Sequence, residues 1–322
     1  MPADHMILRP GDQLAAAAQA VLTGRDLSTV AAEYGFNPID LDDAVRLYHA
    51  AGLTALERHA EQGWYDIRVE FPDWATAETP ATTRLAPALD ALCADGLLTG
   101  WWFLRKYPCW RLRLRNANAA SISQVLDDLT VEGHLTRWWP TIYEPETAAF
   151  GGMTGIAIVH DLFCTDSRGV LRYVRNAKSD LGRRELSILL LTGLFHGAGL
   201  DIFERGDIFD RVTCLRPTPT TVDVAKIDYL AAVLRPVVTL SNPSRIDLFD
   251  KGAPAAGAIE WLAAFERAGD QLGHAAKQGN LGRGLRGILT HIVIFHWNRL
   301  GLSATSQAVL ARAATTALLP TE

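Results

Sequence analysis

Trp101-Trp102-Phe103-Leu104-Arg105-Lys106-Tyr107-Pro108 runs directly into Cys109-Trp110-Arg111-Leu112-Arg113-Leu114-Arg115. Gly100 before it and Pro108 within it mark turns around two extended runs. In the second run side chains alternate, so Arg111, Arg113 and Arg115 share one face and Leu112 and Leu114 the other. Periodicity alone makes the arginine face a solvated outer surface. Upstream, Trp64, Asp66, Arg68 and Glu70 alternate with Tyr65, Ile67, Val69 and Phe71, which predicts another half-buried strand. A helix from about Thr83 to Cys93 separates the two, ending before Gly96. Downstream, Asn118 caps a helix reaching Leu129, and Trp138-Trp139-Pro140 leads into Tyr143. Strand, helix, strand, strand, helix is an α+β order.

Beyond Gly152 the apolar spacing is helical over 153–176, 183–197, 221–234, 256–276, 284–299 and 303–318. Pro236, Pro243 and Pro254, with Gly252, mark a loop region between helices. The expected fold is α+β and predominantly helical, a small antiparallel sheet packed with a large C-terminal helical layer. Residues 1–62 form a separate helical appendage: Leu14, Ala18, Val21 and Leu22 share one face, as do Leu41, Val45, Tyr48 and Leu53. Leu27, Val30, Ala31, Gly35 and Val45 have a helix-turn-helix spacing, with Asp40 or Asp42 as the expected cap of the second long helix. A helix that reads DNA needs donors for phosphates and base edges, and Asp40, Asp42 and Asp43 carry the wrong sign. The appendage reads instead as a packing or peptide-docking unit, and residues 63–322 as the main domain.

A chain of 322 residues, 48% hydrophobic, has enough apolar surface for a full core. Its formal net charge of −5 gives no electrostatic footprint for nucleic acid. No run approaches the roughly 18 apolar residues of a membrane span, and no signal peptide is apparent, so the expected location is the cytoplasm. Cys93, Cys109, Cys164 and Cys214 lie far apart, with no C-x-x-C pair, which signals neither a zinc cluster nor a disulfide framework. There is no H-E-x-x-H or P-loop. Gly279, Gly282, Gly284 and Gly287, with Arg283 and Arg286 between them, read as a loop entering a helix.

Four blocks occur together in order. They are Trp102 to Arg115; Tyr143, Glu146, Phe150, Gly151 and Gly152; Phe163, Asp166 and Ser167, continued by Val170 and Leu171; and Ile294-Phe295-His296-Trp297-Asn298-Arg299-Leu300. Their order and spacing resemble the small, C-terminal domain of lantibiotic dehydratases from about Trp64 to near the C-terminus. The corresponding family patterns are Pro-His-x-Arg-x-Arg, Tyr-x-x-Glu-x-x-Arg-Tyr-Gly-Gly, Phe-x-x-Asp-Ser and His-x-His-x-Asn-Arg-Leu. Arg113 and Arg115 keep the Arg-x-Arg. The family's first histidine falls on Arg111, the arginine before Tyr-Gly-Gly on Ala149, and the first histidine of the last block on Ile294.

The resemblance implies a ribosomally made precursor peptide as partner and substrate. In the family the domain eliminates glutamate from glutamylated Ser or Thr, which needs a base for the Cα proton and cations for the developing enolate. Alkyl side chains at Ala149 and Ile294 serve neither need. In size and architecture the chain is similar to a divergent branch, the free-standing thiopeptide pyridine synthases. These join two dehydroalanines by a formal aza-[4+2] cycloaddition, then lose water and the leader peptide, with no cofactor. Holding diene and dienophile together supplies much of such acceleration, since effective molarities reach roughly 10⁵–10⁸ M. The alternatives are a glutamate-eliminating enzyme with a rearranged site and a non-catalytic partner that presents the peptide.

The expected proton-transfer groups are His296 and Tyr143, with Glu146 to orient or share a proton. Arg111, Arg113 and Arg115 are expected to hold peptide carbonyls. Trp297 joins them in a cavity suited to azoles, and Asn298 and Arg299 bind substrate or hold their helix against the sheet. His160, Asp161 and His196 read as ordinary polar residues of packed helices.

Overall fold

The computed structural model describes residues 10–176, 181–250 and 253–319. The chain divides into two compact units, 1–62 and 63–322. In the first, α1 (Pro10–Leu22), α2 (Leu27–Tyr34) and α3 (Pro38–Gln62) close on Ala17, Val30, Ala31 and Leu41. Asp26 caps α2 by accepting from the Thr29 N–H at 2.9 Å, and Gly35 ends it at φ 73°, a left-handed position that glycine adopts without a Cβ clash. The cap of α3 is Asn37, which accepts from the Ile39 N–H at 2.9 Å, and not Asp40 or Asp42. Pro38 opens the helix earlier than its apolar pattern does, because its fixed φ suits the first helical position. The side chain of Leu53 and the structure of Gly252 lie outside the described residues.

The second unit begins with β1 (Trp64–Glu70), α4 (Glu78–Pro80), a π-helical turn over Ala81–Leu85, α5 (Ala86–Ala94), β2 (Gly100–Lys106), β3 (Cys109–Arg115), α6 (Ala119–Val131) and β4 (Arg137–Thr141). The strands are antiparallel in the order β2-β3-β1-β4, the split arrangement of a β-α-β-β-α-β unit. The helix before β2 starts at Glu78 and not near Thr83. Asn118 caps α6 as expected, its side chain accepting from the Ser121 N–H at 3.0 Å. Pro140 has no N–H to give a second neighbour, which suits β4 to the sheet edge.

One sheet face carries Ile67, Val69, Trp101, Phe103, Trp110, Leu112 and Leu114, all buried with Leu89, Leu92, Ile122 and Leu126 of α5 and α6. Two indoles fasten these helices: Trp101 Nε1 donates to Asp90 at 3.0 Å and Trp138 Nε1 to Asp127 at 2.9 Å. The polar tips of Trp are thereby satisfied while their rings fill the core.

The helical layer follows: α7 (Met153–Arg175), α8 (Arg183–Gly197), α9 (Ile202–Leu215), α10 (Val224–Val238), α11 (Ile259–Lys277), α12 (Leu285–Arg299) and α13 (Ala304–Leu318). α9 is absent from the sequence expectation, although Asp201 and Glu204 form a reciprocal capping box at its start. Pro236 lies in the last turn of α10, not in a loop; the helix ends soon after it, so few hydrogen bonds are disturbed. Among the described residues no helix is long and apolar enough to cross a membrane.

Glu78 joins the layers. Its carboxylate accepts from Arg105 Nη1 and from Arg183 Nη2 at 2.6 Å. The same arginines reach the last carbonyls of α12, Arg105 Nε to Arg299 O at 2.8 Å and Arg183 Nη1 to Leu300 O at 3.0 Å. These helix-end carbonyls have no partner within the helix and a favourable field for cations. Burial works against the Glu78 charge, but Arg183 and Arg105 outweigh it and hold the carboxyl below its ordinary range. A depressed folded-state pKa gives stability above the unfolded value that is lost as pH falls. Glu78→Gln is expected to cost about 2–3 kcal/mol at neutral pH. Denaturant titrations should show that gap closing as pH drops below the ordinary glutamate range; a gap that persists in acid would refute the charge pairing.

Candidate active site

The opposite sheet face is polar, and its register is fixed. Asp66 on β1 lies between Arg113 on β3 and Thr141 on β4, Arg68 between Arg111 and Trp139, and Trp64 beside Arg115. Trp102 on β2 stands next to Arg113. This is not a solvated surface throughout. Arg113 is 6% and Asp66 3% exposed, whereas Arg68, Arg111 and Arg115 are half-buried. Arg113 Nε pairs with Asp66 Oδ1 at 3.0 Å, and the other Asp66 oxygen accepts from the Thr141 hydroxyl. The Arg113 guanidinium also lies over the rings of Trp102 and Tyr143, at 5.1 and 5.4 Å. Arg113 Nη1 and Trp102 Nε1 are buried without a hydrogen-bond partner among the described residues. Buried donors of that kind are costly unless something accepts from them.

The segment from Tyr143 to Gly152 and the start of α7 cover this part of the face. Gly151 and Gly152 take φ values of 82° and 89°, which side chains resist. A Cβ on Gly155 would come 1.8 Å from the Phe150 carbonyl oxygen, so the chain doubles back tightly into α7. The turn brings Tyr143 against α7, where its hydroxyl lies 2.6 Å from His160 Nε2. Trp64 packs on His160 at 4.6 Å and Trp102 at 6.0 Å.

Burial, with the charges of Arg115 and Arg113, pushes the His160 imidazole down to about 3. Burial likewise raises the Tyr143 phenol well above its ordinary value. The pair is therefore uncharged at neutral pH, joined by one hydrogen bond whose donor is set by the imidazole tautomer. His160 is absent from the expected site, yet it precedes Phe163 by three residues on the helix carrying the Phe163-Asp166-Ser167 block. That spacing puts it on the same face.

Arg115 pairs with Asp161 at 2.7 Å and lies over Trp64 at 4.9 Å. Glu146 is exposed, and its charge is felt at both Arg113 and Tyr143. Arg113, Tyr143 and Glu146 thus come together with His160. Ala149 contributes a backbone carbonyl, which accepts from Arg283 Nη1 at 3.2 Å.

His296 belongs to another cluster. It is fully buried, with Nδ1 2.9 Å from Asp166 Oδ1. Arg299 Nε donates to Asp166 Oδ2 at 2.6 Å and Trp261 Nε1 to Oδ1 at 3.0 Å. Phe163 separates this cluster from the sheet-face site: the Arg299 guanidinium lies 4.0 Å from its ring centre, and Trp102 packs against it at 5.1 Å. Trp297 is fully buried and donates to Ser187 Oγ at 2.6 Å. Asn298 accepts from Gln307 Nε2 at 2.9 Å. The side chains of Trp297, Asn298 and Arg299 bond to Ser187, Gln307 and Asp166 of other helices, while the Arg299 carbonyl accepts from Arg105 of β2 at 2.8 Å; His296 bonds to Asp166, and Tyr143 to His160. The helix period turns 296, 297 and 299 into the core, and the Arg299–Arg105 contact holds α12 against β2.

A split antiparallel sheet backed by a helical layer carries a buried Tyr–His pair, with an arginine lying over the tyrosine ring. Residues 64–318 match the family model described as lantibiotic biosynthesis dehydratase C-term, and the chain belongs to that family. No curated protein sequence matches it. Among solved structures it is similar to the tRNA-dependent lantibiotic dehydratase MibB from Microbispora sp. 107891, with a TM-score of 0.59 and 18% identity over 80% of this chain. This chain spans only 28% of MibB. It is also similar to TsrL (TM-score 0.57, 16% identity), covering 80% of this chain and 99% of that one. The pyridine synthase TbtD from thiomuracin biosynthesis gives a TM-score of 0.53 and 14% identity over 80% of this chain and 97% of TbtD. At these identities the likeness is one of fold.

Asp166→Ala leaves Arg299 and His296 buried without their carboxylate, and a loss of about 3–5 kcal/mol in unfolding free energy is expected. Chemical denaturation checks this, and a change below about 1 kcal/mol would show that Asp166 does not hold the helical layer.

Proposed function

We propose that the chain forms the central six-membered nitrogen ring of a thiopeptide from two dehydroalanines of a ribosomal precursor, by formal aza-[4+2] cycloaddition. The observation that carries this reading is the buried, uncharged Tyr143–His160 pair beside Arg113, on a scaffold where Ala149 and Ile294 stand at the positions of two elimination groups. The single-domain likeness to TbtD supports it.

The chemistry asks for proton transfers without net charge. The amide at the diene end becomes an imidic acid when its nitrogen gives up a proton and its oxygen gains one. Tyr143 delivers that proton, His160 replenishes the phenol, and the proton lost from nitrogen restores the pair. Arg113 Nη1 holds the carbonyl as charge shifts onto oxygen. Two new bonds then close the ring. In the following steps a hydroxyl leaves as water and the leader as a carboxamide. Each departure takes one proton, and the ring loses one in return, so the same pair serves both. Glu146 stands at the rim of this site, where half-buried Trp64 offers a flat apolar surface for azoles. Cofactors enter none of these steps.

Tyr143→Phe and His160→Gln are each expected to lower the rate about 10²–10⁴-fold, read by mass spectrometry of a fully dehydrated, azole-bearing precursor. The activity of the unaltered chain should stay level between about pH 5 and 8, where an unperturbed histidine near 6.5 would titrate. A sigmoidal fall across that range, or glutamate release from a glutamylated precursor giving plain dehydroalanines, would replace this reading with elimination. Peptide binding with no mass change would replace it with a presenting partner.

A further inference from the structure

Beside the Tyr143–Arg113 site, one register step further along the sheet, Trp139, Arg68 and Arg111 stand in a row across three strands. All three are half-buried. Arg68 and Arg111 are directly opposite each other on an antiparallel pair, where side chains start only about 4.5–5.5 Å apart and like charges repel. The nearby acids have other hydrogen-bond partners, although the Asp66 charge also reaches Arg111 and Arg68. Asp66 is held by Arg113 and Thr141, and Glu70 pairs with Arg137 at 2.8 Å. The Nε of Arg68 and that of Arg111 are buried with no hydrogen-bond partner among the described residues. Arg137 lies over the Trp139 ring at 4.9 Å, so the rim of the row is cationic and aromatic too. Two facing, half-buried guanidiniums with unused Nε donors favour an anion that bridges them.

We propose that Arg68 and Arg111, flanked by Trp139, form a carboxylate subsite that takes an acidic side chain of the peptide substrate. This rests on the reading of the substrate as a peptide, and it names a recognition element within it. Guanidinium forks fit a carboxylate with two parallel hydrogen bonds, and the Trp139 ring offers an apolar floor for the stem that carries it. The row lies two residues along β1 and β3 from Asp66 and Arg113, about 7 Å at the rise of a strand. An acidic residue held here places the neighbouring peptide over the Tyr143–His160 pair. A nucleic acid fits poorly, because Asp66 and Glu70 interrupt any track of cations that phosphates would follow.

The test uses the full chain and two synthetic probes, N-acetyl-(Glu-Ala)4-amide and its glutamine counterpart, titrated by calorimetry at low salt. The glutamate peptide is expected to bind at least about tenfold more tightly. Arg68→Gln and Arg111→Gln should each remove most of that difference and leave the glutamine peptide unaffected, whereas Arg68→Lys retains part of it. Circular dichroism and thermal melting establish that each variant is folded. Should the glutamine variants not fold, the Arg68→Lys and Arg111→Lys chains decide the matter: each must lose part of the preference for glutamate. Equal binding of the two probes, or a folded R68Q/R111Q chain that binds as the unaltered one does, would overturn the subsite. Displacement of the glutamate peptide by equimolar inorganic phosphate would overturn the carboxylate assignment.

Failure of the two proposals is distinguishable. Acidic-peptide binding that depends on the pair, with no ring product from the precursor, sinks the cyclisation and leaves the subsite. Ring formation by the folded double variant with unchanged kcat and KM sinks the subsite and leaves the cyclisation.

Discussion

Asp166 is a fully buried carboxylate on α7 whose charge is met by His296 and Arg299 of α12 and whose oxygen also takes the indole N–H of Trp261 on α11. A buried charge of this kind is tolerable only with all of its partners in place, so three helices are fixed relative to one another by a single side chain. The next residue, Ser167, accepts from the Phe103 N–H at 3.1 Å and fixes α7 against the open edge of β2. The rest of the site follows by helical arithmetic. Phe163, one turn earlier, is wedged between Arg299 and Trp102, and His160, a further turn back, meets Tyr143. Stability of the helical layer and placement of the Tyr143–His160 pair are therefore two consequences of one anchored helix.

Alternation and turn residues made most of the sheet legible in the sequence. β1 and the β2–β3 hairpin emerge where Trp64, Trp101 and Trp110 place them, because period-two burial leaves a strong pattern and Pro108 leaves a clear turn. The missed elements have weaker local signals. α9 shows itself by its Asp201–Glu204 capping box more than by an apolar stripe, and α10 runs through Pro236 because a proline in a last turn disturbs few bonds. For the candidate site, a motif gives a residue's position along the chain and not the face it takes. His296 sits inside a recognisable block, yet its direction from the helix axis sends it to Asp166. His160 lies in no block, yet shares a face with Phe163. Contacts between Tyr143 and His160, or among Arg68, Arg111 and Trp139, depend on strand order, which a linear reading does not contain.

The polar face of the sheet resolves an apparent contradiction in the sequence. Arginines alternating with leucines on β3 describe an ordinary outer face, but a solvated face does not need Trp64, Trp102 and Trp139 among its cations. The structure divides the face in two. Around Arg113 it is roofed by Tyr143 and α7, and water is replaced by aromatic rings and one carboxylate. Around Arg68 and Arg111 it is half-open. Charge is thus buried around Arg113 and left partly accessible around Arg68 and Arg111.

Roofing also bears on which chemistry the face favours. Elimination of a carboxylate leaving group builds negative charge that must be met by mobile or added cations, and the alkyl groups of Ala149 and Ile294 contribute none. A neutral phenol–imidazole pair works against that reaction, because burial has suppressed the charged form of both partners. The same suppression favours a tautomerisation, in which a proton leaves one atom of an amide and another arrives at its neighbour with no ion formed between. Such a pair gains from a dry, low-dielectric setting in which a proton has few competing acceptors. Trp102 and Tyr143 are themselves buried, so the rings that line this part of the face keep water from the phenol and the imidazole, and Trp64, half-buried, is the aromatic side chain of the group that reaches the surface.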